Sequence, residues 1–149
     1  MRRRIRQALQ VMRLAPWLYG FGMAKHFVPL PALARLAYRT PLRRMPPSAI
    51  NQIASSVLLT GRMVGMPDRD CVQRSLLLYR ELSAAGLRPL LSFGFTQHER
   101  RLSGHAWVSV GGAIVGEPDL DSSSFTRVAT FGTYGALVNP ADGPSGVAV

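Results

Sequence analysis

The sequence contains a single cysteine, Cys71, and few acidic residues. One thiol excludes an internal disulfide and a cysteine-rich metal site, and it fits a reducing cytosol. Residues 1–44 contain ten Lys and Arg and no Asp or Glu, whereas residues 45–149 contain eight residues of each sign. The net charge of +10 therefore arises in the N-terminal third. Such a basic block predicts a docking surface for an acidic partner, such as a membrane, a nucleic acid or an acidic peptide.

The chain also lacks an apolar run long enough to cross a bilayer. Residues 14–24 are mostly apolar and follow several arginines, as in an export signal, but Pro16, Trp17 and two glycines interrupt them. No small-x-small cleavage site follows them. We therefore predict a cytoplasmic protein, and we predict in addition that its basic N-terminus contacts a membrane surface.

A chain of 149 residues, 47% of them apolar, is long enough for one domain with a core and too short for two full domains. Helical periods come first and strand periods later, so the predicted class is α+β with a small antiparallel sheet. We divide the chain into a basic helical extension (residues 1–45), a core domain (residues 46–136) and a flexible tail (residues 137–149).

The N-terminal third predicts three short helices separated by prolines. Residues 1–15 form the first, and Pro16 is expected to end or kink it. Residues 17–28 and 31–38 form the other two. The first helix has an apolar stripe, which either packs on the following domain or lies on a membrane. Its members are Ile5, Ala8, Leu9 and Met12.

Two further helices are predicted before the sheet. The first covers residues 48–66, with Ser48 as its N-cap and Pro67 closing it. The second begins at Asp68 or Asp70 and ends at Gly86. Within it, Asp70 and Gln73 have the spacing of a capping box.

The remaining chain predicts strands. They are expected at residues 90–95, 105–110, 113–116 and 125–131. Residues 98–101 are expected to form a charged loop, so that the second strand opens with His105. Gly111–Gly112 predicts a two-residue hairpin.

Cys71 lies where a helix N-terminus favours a thiolate, which is the reactive form of a thiol. His105 follows on a strand, with Ala106 and Trp107 to shield it, and is the candidate base. A third group should fix the tautomer of the imidazole. Glu117 and Asp119 follow the return strand of the hairpin, so either carboxylate can reach His105. The order of cysteine, histidine and acid is that of papain-like and transglutaminase-like enzymes.

Structural interpretations of the same residues remain open. A lone cysteine is often a small buried apolar residue, and His105 can be a core histidine. Glu117 and Asp119 can be turn residues, and His98 is expected to be solvated. Cys71, His105 and Asp119 are enough ligands for zinc, but their spacing does not support such a site.

Several motifs of the chain resemble one family. They are Asp70 to Leu76 (DCVQRSL), the helix end Leu82 to Gly86, Phe93–Gly94–Phe95 and His105 to Val110 (HAWVSV). Over residues 48–131 the chain resembles the lasso-peptide leader proteases, which are transglutaminase-like maturation proteins of the microcin-processing type. That family has a Cys-Leu-x-Arg-Ser-Leu helix start and a His-Ala-Trp-Val-Glu-Val strand. This chain has Val72 and Ser109 where the family usually has leucine and glutamate.

The resemblance implies a transglutaminase-like, papain-like core with the cysteine at a helix N-terminus packed on the sheet. In it, Cys71 is the nucleophile, His105 is the general base and acid, and a carboxylate orients the histidine. The family usually has aspartate in the third place. Here Gly116–Glu117–Pro118 aligns with that place, so Glu117 is the first choice and Asp119 the second.

The resemblance also implies a reaction and partners. Such proteins cut the leader from a ribosomally made precursor peptide, and a separate asparagine-synthetase-like cyclase then closes the macrolactam. Residues 1–45 show no strand signal for the small winged-helix domain that reads the leader, so we predict a separate leader-recognition protein. Some family members require ATP, but no phosphate loop is present in the sequence, and no cofactor is evident from it. No nucleic-acid partner is expected.

Three functions are therefore considered. The first is a cysteine protease that removes a leader peptide. The second is a transglutaminase-like acyltransferase, because the same acyl-enzyme can pass its acyl group to an amine. The third is a non-catalytic basic binding module in which Cys71 is buried and inert.

Overall fold

The structure is a computed structural model, and it describes residues 2–66, 70–98 and 101–139. The helices in these ranges come first: α1 (Arg2–Ala24), α2 (Leu30–Ala37), α3 (Ala49–Met63) and α4 (Cys71–Ala84). The strands follow: β1 (Leu90–His98), β2 (Arg101–Val110), β3 (Ala113–Ile114) and β4 (Thr126–Phe131). The predicted α+β class is confirmed, and Cys71 opens the fourth helix.

The strands form one antiparallel sheet in the order β3-β2-β1-β4. The turn between β2 and β3 is the predicted hairpin, in which Gly111 and Gly112 have φ of +58° and +86°. Positive φ at both central residues is the geometry that a two-residue turn requires, and glycine adopts it without strain. The hairpin returns the chain along β2 and so delivers residues 115–119 beside the strand that contains His105.

The first two strands are longer than predicted. His98 is the last residue of β1 and pairs with Arg101, the first residue of β2, so the charged loop predicted over residues 98–101 is wrong at both ends. Residues 99 and 100 lie outside the described residues. His105 is consequently in the middle of β2 and pairs with Gly94 of β1. A central position on a paired strand holds the histidine backbone more rigidly than a strand end would.

Helix α1 runs through Pro16, so the separate helix predicted over residues 17–28 is wrong. A proline inside a helix removes one hydrogen bond and costs about 3 kcal/mol. Three large side chains of α1, Leu14, Leu18 and Phe21, are fully buried, and their burial against α3 and α4 offsets that cost. Of the two alternatives for the stripe of Ile5, Ala8, Leu9 and Met12, packing on the following domain is wrong, because Leu14, Leu18 and Phe21 occupy the buried face and the stripe is exposed.

The predicted N-caps are not formed. Ser48 precedes α3 and Asp70 precedes α4, but neither side chain accepts a capping hydrogen bond. Lys25 Nζ donates to Asp70 Oδ1 at 3.0 Å, so the carboxylate predicted to close a capping box with Gln73 pairs instead with the residue that follows α1. Pro67, predicted to close α3, and Asp68, the other predicted start of α4, lie outside the described residues.

The end of α4 is as predicted. Gly86 follows the helix with φ of +74°, its N–H donates to the Ser83 carbonyl at 2.9 Å, and the Leu87 N–H donates to the Leu82 carbonyl at 3.1 Å. This pair of bonds is a Schellman motif, which stops the helix and turns the chain toward β1.

One cluster of buried side chains runs through every helix and the sheet. It includes Leu33 of α2, Val57 of α3, Tyr79 of α4, Val108 of β2 and Phe131 of β4. The helices of the N-terminal third therefore contribute to the same core as the sheet. Of the tail predicted to be flexible, residues 140–149 lie outside the described residues. Among the residues that the structure describes, no helix has the length and hydrophobicity needed to span a membrane.

Candidate active site

Cys71 is the first residue of α4, and its side chain is nearly enclosed, with 8% of the residue exposed. The first intrahelical bond of this turn runs from the Arg74 N–H to the Asp70 carbonyl at 3.2 Å. The N–H groups of the first turn before Arg74 have no acceptor within the helix. Negative charge on the sulfur, or on an oxygen beside it, would therefore face free donors and the positive end of the helix dipole.

Ser75 holds this helix start against β2. Its Oγ donates to the carbonyl oxygen of Ala106 at 2.9 Å, in a buried contact. Ser75 is one turn beyond Cys71, and Ala106 is the residue after His105. The bond therefore fixes the helix that Cys71 opens to the strand that contains His105.

His105 is hydrogen-bonded to Glu117, with 2.8 Å between Nε2 and Oε2. A carboxylate only accepts, so the proton of a neutral imidazole is on Nε2. That tautomer leaves the lone pair on Nδ1, which is the atom that can take a proton from a nucleophile. Glu117 thus has the position of the orienting residue in a triad.

The second oxygen of Glu117, Oε1, accepts a hydrogen bond from Arg74 Nη2 in an ion pair. The side chains of Arg74, Glu117 and His105 are 16%, 21% and 21% exposed, so the whole chain of contacts is largely removed from water. A carboxylate with little contact to water is held in place by a positive partner. Arg74 supplies it, and its own position one turn beyond Cys71 links the carboxylate back to α4.

Local backbone bonds place Glu117 and separate it from Asp119. The Val115 N–H donates to the Val108 carbonyl at 2.8 Å, which continues the pairing of the hairpin past β3. Gly116 then turns the chain with φ of +80°, and the Leu120 N–H donates to the Glu117 carbonyl at 3.1 Å. The structure pairs His105 with Glu117, whereas Asp119 lies exposed in the turn that follows.

Two aromatic side chains cover the imidazole. The Trp107 ring is nearly parallel to that of His105, with 6.4 Å between centroids and 15° between planes. The Phe125 ring lies 5.6 Å from His105 and 5.7 Å from Trp107. Trp107 is 2% exposed, and with Phe125 it contributes to leaving the His105 side chain only 21% exposed.

Gly94, which pairs with His105 across β1 and β2, makes room for this aromatic cover. A Cβ at this position would lie 3.0 Å from Cη2 of Trp107 and 2.9 Å from the Thr126 carbonyl oxygen. Both distances are shorter than ordinary van der Waals contact, so a side chain here would displace the indole or β4.

Beside Glu117 there is a small cavity of about 10 Å³, lined among others by Arg74, Ser75 and Trp107. A space of this size holds about one water molecule and is too small for a substrate group.

The zinc ligands considered from the sequence do not form a cluster. Across residues 2–66, 70–98 and 101–139, no group of three or more His, Cys, Asp or Glu side chains is arranged to hold a metal ion.

Three residues near the site had no role in the interpretation of the sequence. Arg74 and Ser75 were part of the helix-start motif, and Gly94 was part of the Phe-Gly-Phe motif. Their spacing contained a signal, since residues three and four positions after Cys71 lie on the same side of the helix as the thiol. The partners that give them roles, Glu117 and Trp107, are distant in sequence.

A family model, described as the transglutaminase-like superfamily, matches residues 21–130, nearly three quarters of the chain. The chain belongs to the transglutaminase-like superfamily. The match begins inside α1 and ends inside β4, so it includes Cys71, His105 and Glu117. No curated protein and no solved structure gives a significant match.

Members of the transglutaminase-like superfamily are generally cysteine peptidases or acyltransferases. Membership therefore indicates thiol chemistry, and it does not distinguish transfer to water from transfer to an amine. The family model describes the superfamily as a whole, so the match does not distinguish the leader proteases from its other members.

Proposed function

We propose that this transglutaminase-like protein is a cysteine peptidase that removes the leader from a ribosomally made lasso-peptide precursor. The observation that supports it best is the contact of Glu117 with His105, because it orients an imidazole on the strand that Ser75 ties to the Cys71 helix. The motifs around Cys71 and His105 resemble those of the leader proteases, and they supply the choice of substrate.

In the first half of the reaction, Nδ1 of His105 takes the proton of the Cys71 thiol, and Sγ attacks the carbonyl carbon of the scissile bond. The resulting oxyanion faces the backbone N–H of Cys71 at the start of α4. His105 then gives its proton to the leaving amine of the core peptide. The C–N bond breaks, and a thioester joins the leader to Cys71.

In the second half, water attacks the thioester carbonyl while His105 accepts one of its protons. The C–S bond breaks, the thiolate recovers a proton, and the leader leaves with a free carboxyl group. Glu117 holds the Nε2 proton throughout and stabilises the imidazolium of each step, and Arg74 holds Glu117.

The rate of Cys71 alkylation by iodoacetamide tests the activated pair without a substrate. We expect the wild-type thiol to react in the folded protein and His105→Ala to slow the reaction. Unfolding in urea supplies the control, because every variant should then react alike. A folded wild-type thiol that stays inert until urea is added would refute the nucleophile and favour the binding module with a buried cysteine.

Mass spectrometry of the product tests the reaction itself. The assay uses a lasso-peptide precursor together with its leader-recognition protein, first in buffer and then with added hydroxylamine. A leader with a free carboxyl group in buffer supports the peptidase. A product that appears only with an amine present, and as its amide, would support the acyltransferase.

The proposed partners follow from the same resemblance. They are the precursor peptide, a separate winged-helix leader-recognition protein and the asparagine-synthetase-like cyclase, and the proposed compartment is the cytoplasm. Purified precursor that is cut only when the recognition protein is added would support this arrangement. Equal cutting without that protein would contradict it.

A further inference from the structure

Helix α1 has two apolar faces, and only one of them is buried. The inner face consists of Leu14, Leu18 and Phe21, each at most 2% exposed. The outer face is a line of large apolar side chains that are between 50% and 72% exposed, and we call it the outer stripe. Its members are Ile5, Leu9, Met12, Tyr19 and Met23.

The outer stripe is continuous along the helix. Its members recur at intervals of three, four and seven residues, with the exposed Pro16 in the longest interval, so they share one side of α1. Met12 and Leu14 are two residues apart and therefore point about 200° from each other. From Ile5 to Met23 the stripe extends for about 27 Å at 1.5 Å per residue.

An exposed apolar line of this length marks an interaction surface rather than chance exposure. Leu9 stands at the edge of a groove beside α3 and α4, and Tyr19 and Met23 stand at the edge of a second groove beside residues 64–66, so the surface is uneven. What covers it has to accept a protruding row of side chains.

The charge around the stripe indicates the partner. Residues 1–44 contain no Asp or Glu, and Arg6 is exposed beside the stripe. Arg13 is already paired with Glu81 at 2.5 Å, so the nearest carboxylate of α4 is neutralised. The stripe therefore faces outward with positive charge around it and no acidic residue in its own helix.

We propose that α1 lies on an anionic lipid surface, with the outer stripe inserted at the level of the headgroups. Aliphatic and methionine side chains enter the acyl boundary, Tyr19 takes the interface, and arginine side chains reach back to lipid phosphates. A lipid surface deforms around an uneven row of side chains and needs no matching shape. Its negative charge complements a helix that has only basic charges.

Co-sedimentation with vesicles tests this proposal on the full chain. The probes are vesicles of phosphatidylcholine alone and vesicles that also contain phosphatidylglycerol. We expect binding to the anionic vesicles and little binding to the neutral ones. The double variant Leu9→Gln/Met12→Gln should lower the affinity for anionic vesicles by about tenfold or more, because it removes two inserted side chains.

Matched variants separate the stripe from apolar exposure in general. Leu102 and Val128 of the sheet are 70% and 65% exposed, so Leu102→Gln/Val128→Gln should leave vesicle binding unchanged. Arg6→Gln should weaken binding to anionic vesicles, while Arg62→Gln at the end of α3 should not. Alkylation of Cys71 in solution should be unchanged in these variants, because the proposal does not depend on the peptidase.

Two results would overturn the proposal. One is equal vesicle binding by the wild type and the outer-stripe variant, or no binding by either. The other is a dimer or larger assembly of the wild type, seen by sedimentation without lipid and lost in the outer-stripe variant. The second result would assign the stripe to a second copy of the chain.

Discussion

Helix α4 makes an Arg–Glu ion pair on each of two sides, and the two pairs have different surroundings. On the sheet side, Arg74 pairs with Glu117, and both side chains are at most 21% exposed. On the α1 side, Arg13 pairs with Glu81, and the Arg13 side chain is 66% exposed. The first pair continues to the candidate base, because Glu117 also contacts His105.

We therefore expect the two ion pairs to have different consequences, although they consist of the same residue types. The Arg13 end of the Arg13–Glu81 pair is solvated, so water and salt screen the attraction and it contributes about 1 kcal/mol at most, although the Glu81 side chain is only 13% exposed. When Arg74 is removed, Glu117 loses the cation that holds it beside His105, so its carboxylate can move. We accordingly expect the sheet side of α4 to control chemistry and the α1 side to control only docking.

The largest expected effect is at the histidine itself. His105→Ala should lower the cleavage rate by about a hundredfold or more, because it removes the proton acceptor. Cys71→Ala should abolish turnover. Circular dichroism should show that both variants keep their fold, and cleavage at the wild-type rate by either folded variant would refute the assignment.

The difference between the two ion pairs is tested most directly by comparing the variants Arg74→Met and Arg13→Met. Arg74→Met should lower kcat by about tenfold to a hundredfold with little change in KM, because a misplaced Glu117 misaligns His105. Arg13→Met should leave kcat unchanged. Arg74→Lys should recover part of the loss, since it restores the charge without the planar guanidinium.

Steady-state kinetics of these variants, with thermal unfolding as the control for folding, measure the difference. A merely structural role for Arg74 predicts equal losses from Arg74→Lys and Arg74→Met. Equal kcat in Arg74→Met and Arg13→Met would show that the two sides of α4 do not differ.

Gly94 beside the candidate site and Gly20 in α1 should respond in opposite directions when alanine replaces them. Gly94→Ala should destabilise the protein by about 1–3 kcal/mol, because its Cβ would press on Trp107 and the Thr126 carbonyl. Gly20→Ala in α1 meets nothing within 4 Å and should stabilise the helix by about 0.5–1 kcal/mol. Urea unfolding measures both, and a stabilising Gly94→Ala would contradict the tight packing behind His105.

The last expected effect is a change in the free energy of unfolding between neutral and alkaline pH. The Tyr79 hydroxyl donates to the Gly132 carbonyl and accepts from the Gly135 N–H at 3.1 Å, and burial raises its pKa to about 12. The neutral phenol is the form that the fold favours. Its contribution is therefore complete below pH 10, the ordinary value, and is lost as the pH rises toward 12.

Tyr79→Phe should cost about 0.5–1.5 kcal/mol near neutral pH, because it removes the bonds of the buried hydroxyl while the Gly135 N–H still donates to the Gly132 carbonyl at 3.1 Å. In the variant, stability should fall less steeply between pH 10 and 12 than in the wild type. Urea unfolding at several alkaline pH values measures this slope. Parallel slopes would show that Tyr79 does not titrate with unfolding.

Features with a local cause could be predicted from the sequence. Gly86 ends α4 and Gly111–Gly112 turns the chain, because glycine adopts positive φ wherever it stands. Cys71 at a helix start and the alternation of β2 follow from periods of a few residues. The α+β class and the superfamily follow from these same segments.

Features that depend on distant partners could not be predicted in this way. Residues tens of positions away decide three features of the structure. They decide whether Pro16 breaks α1, whether Asp70 caps α4 or pairs with Lys25, and which apolar face of α1 is buried. Each of these outcomes is decided by burial or charge across elements, and those energies exceed the local preferences.

The sequence by itself determined which residues of this protein are candidates for thiol chemistry, because thiol, imidazole and carboxylate are properties of single side chains. Only the tertiary structure decided how they are arranged. It joined Glu117 rather than Asp119 to His105, placed Arg74 behind Glu117 and left the outer stripe of α1 exposed. The physical reason is that an ion pair or a buried face exists only when the folded chain brings distant residues to within a few ångströms of each other.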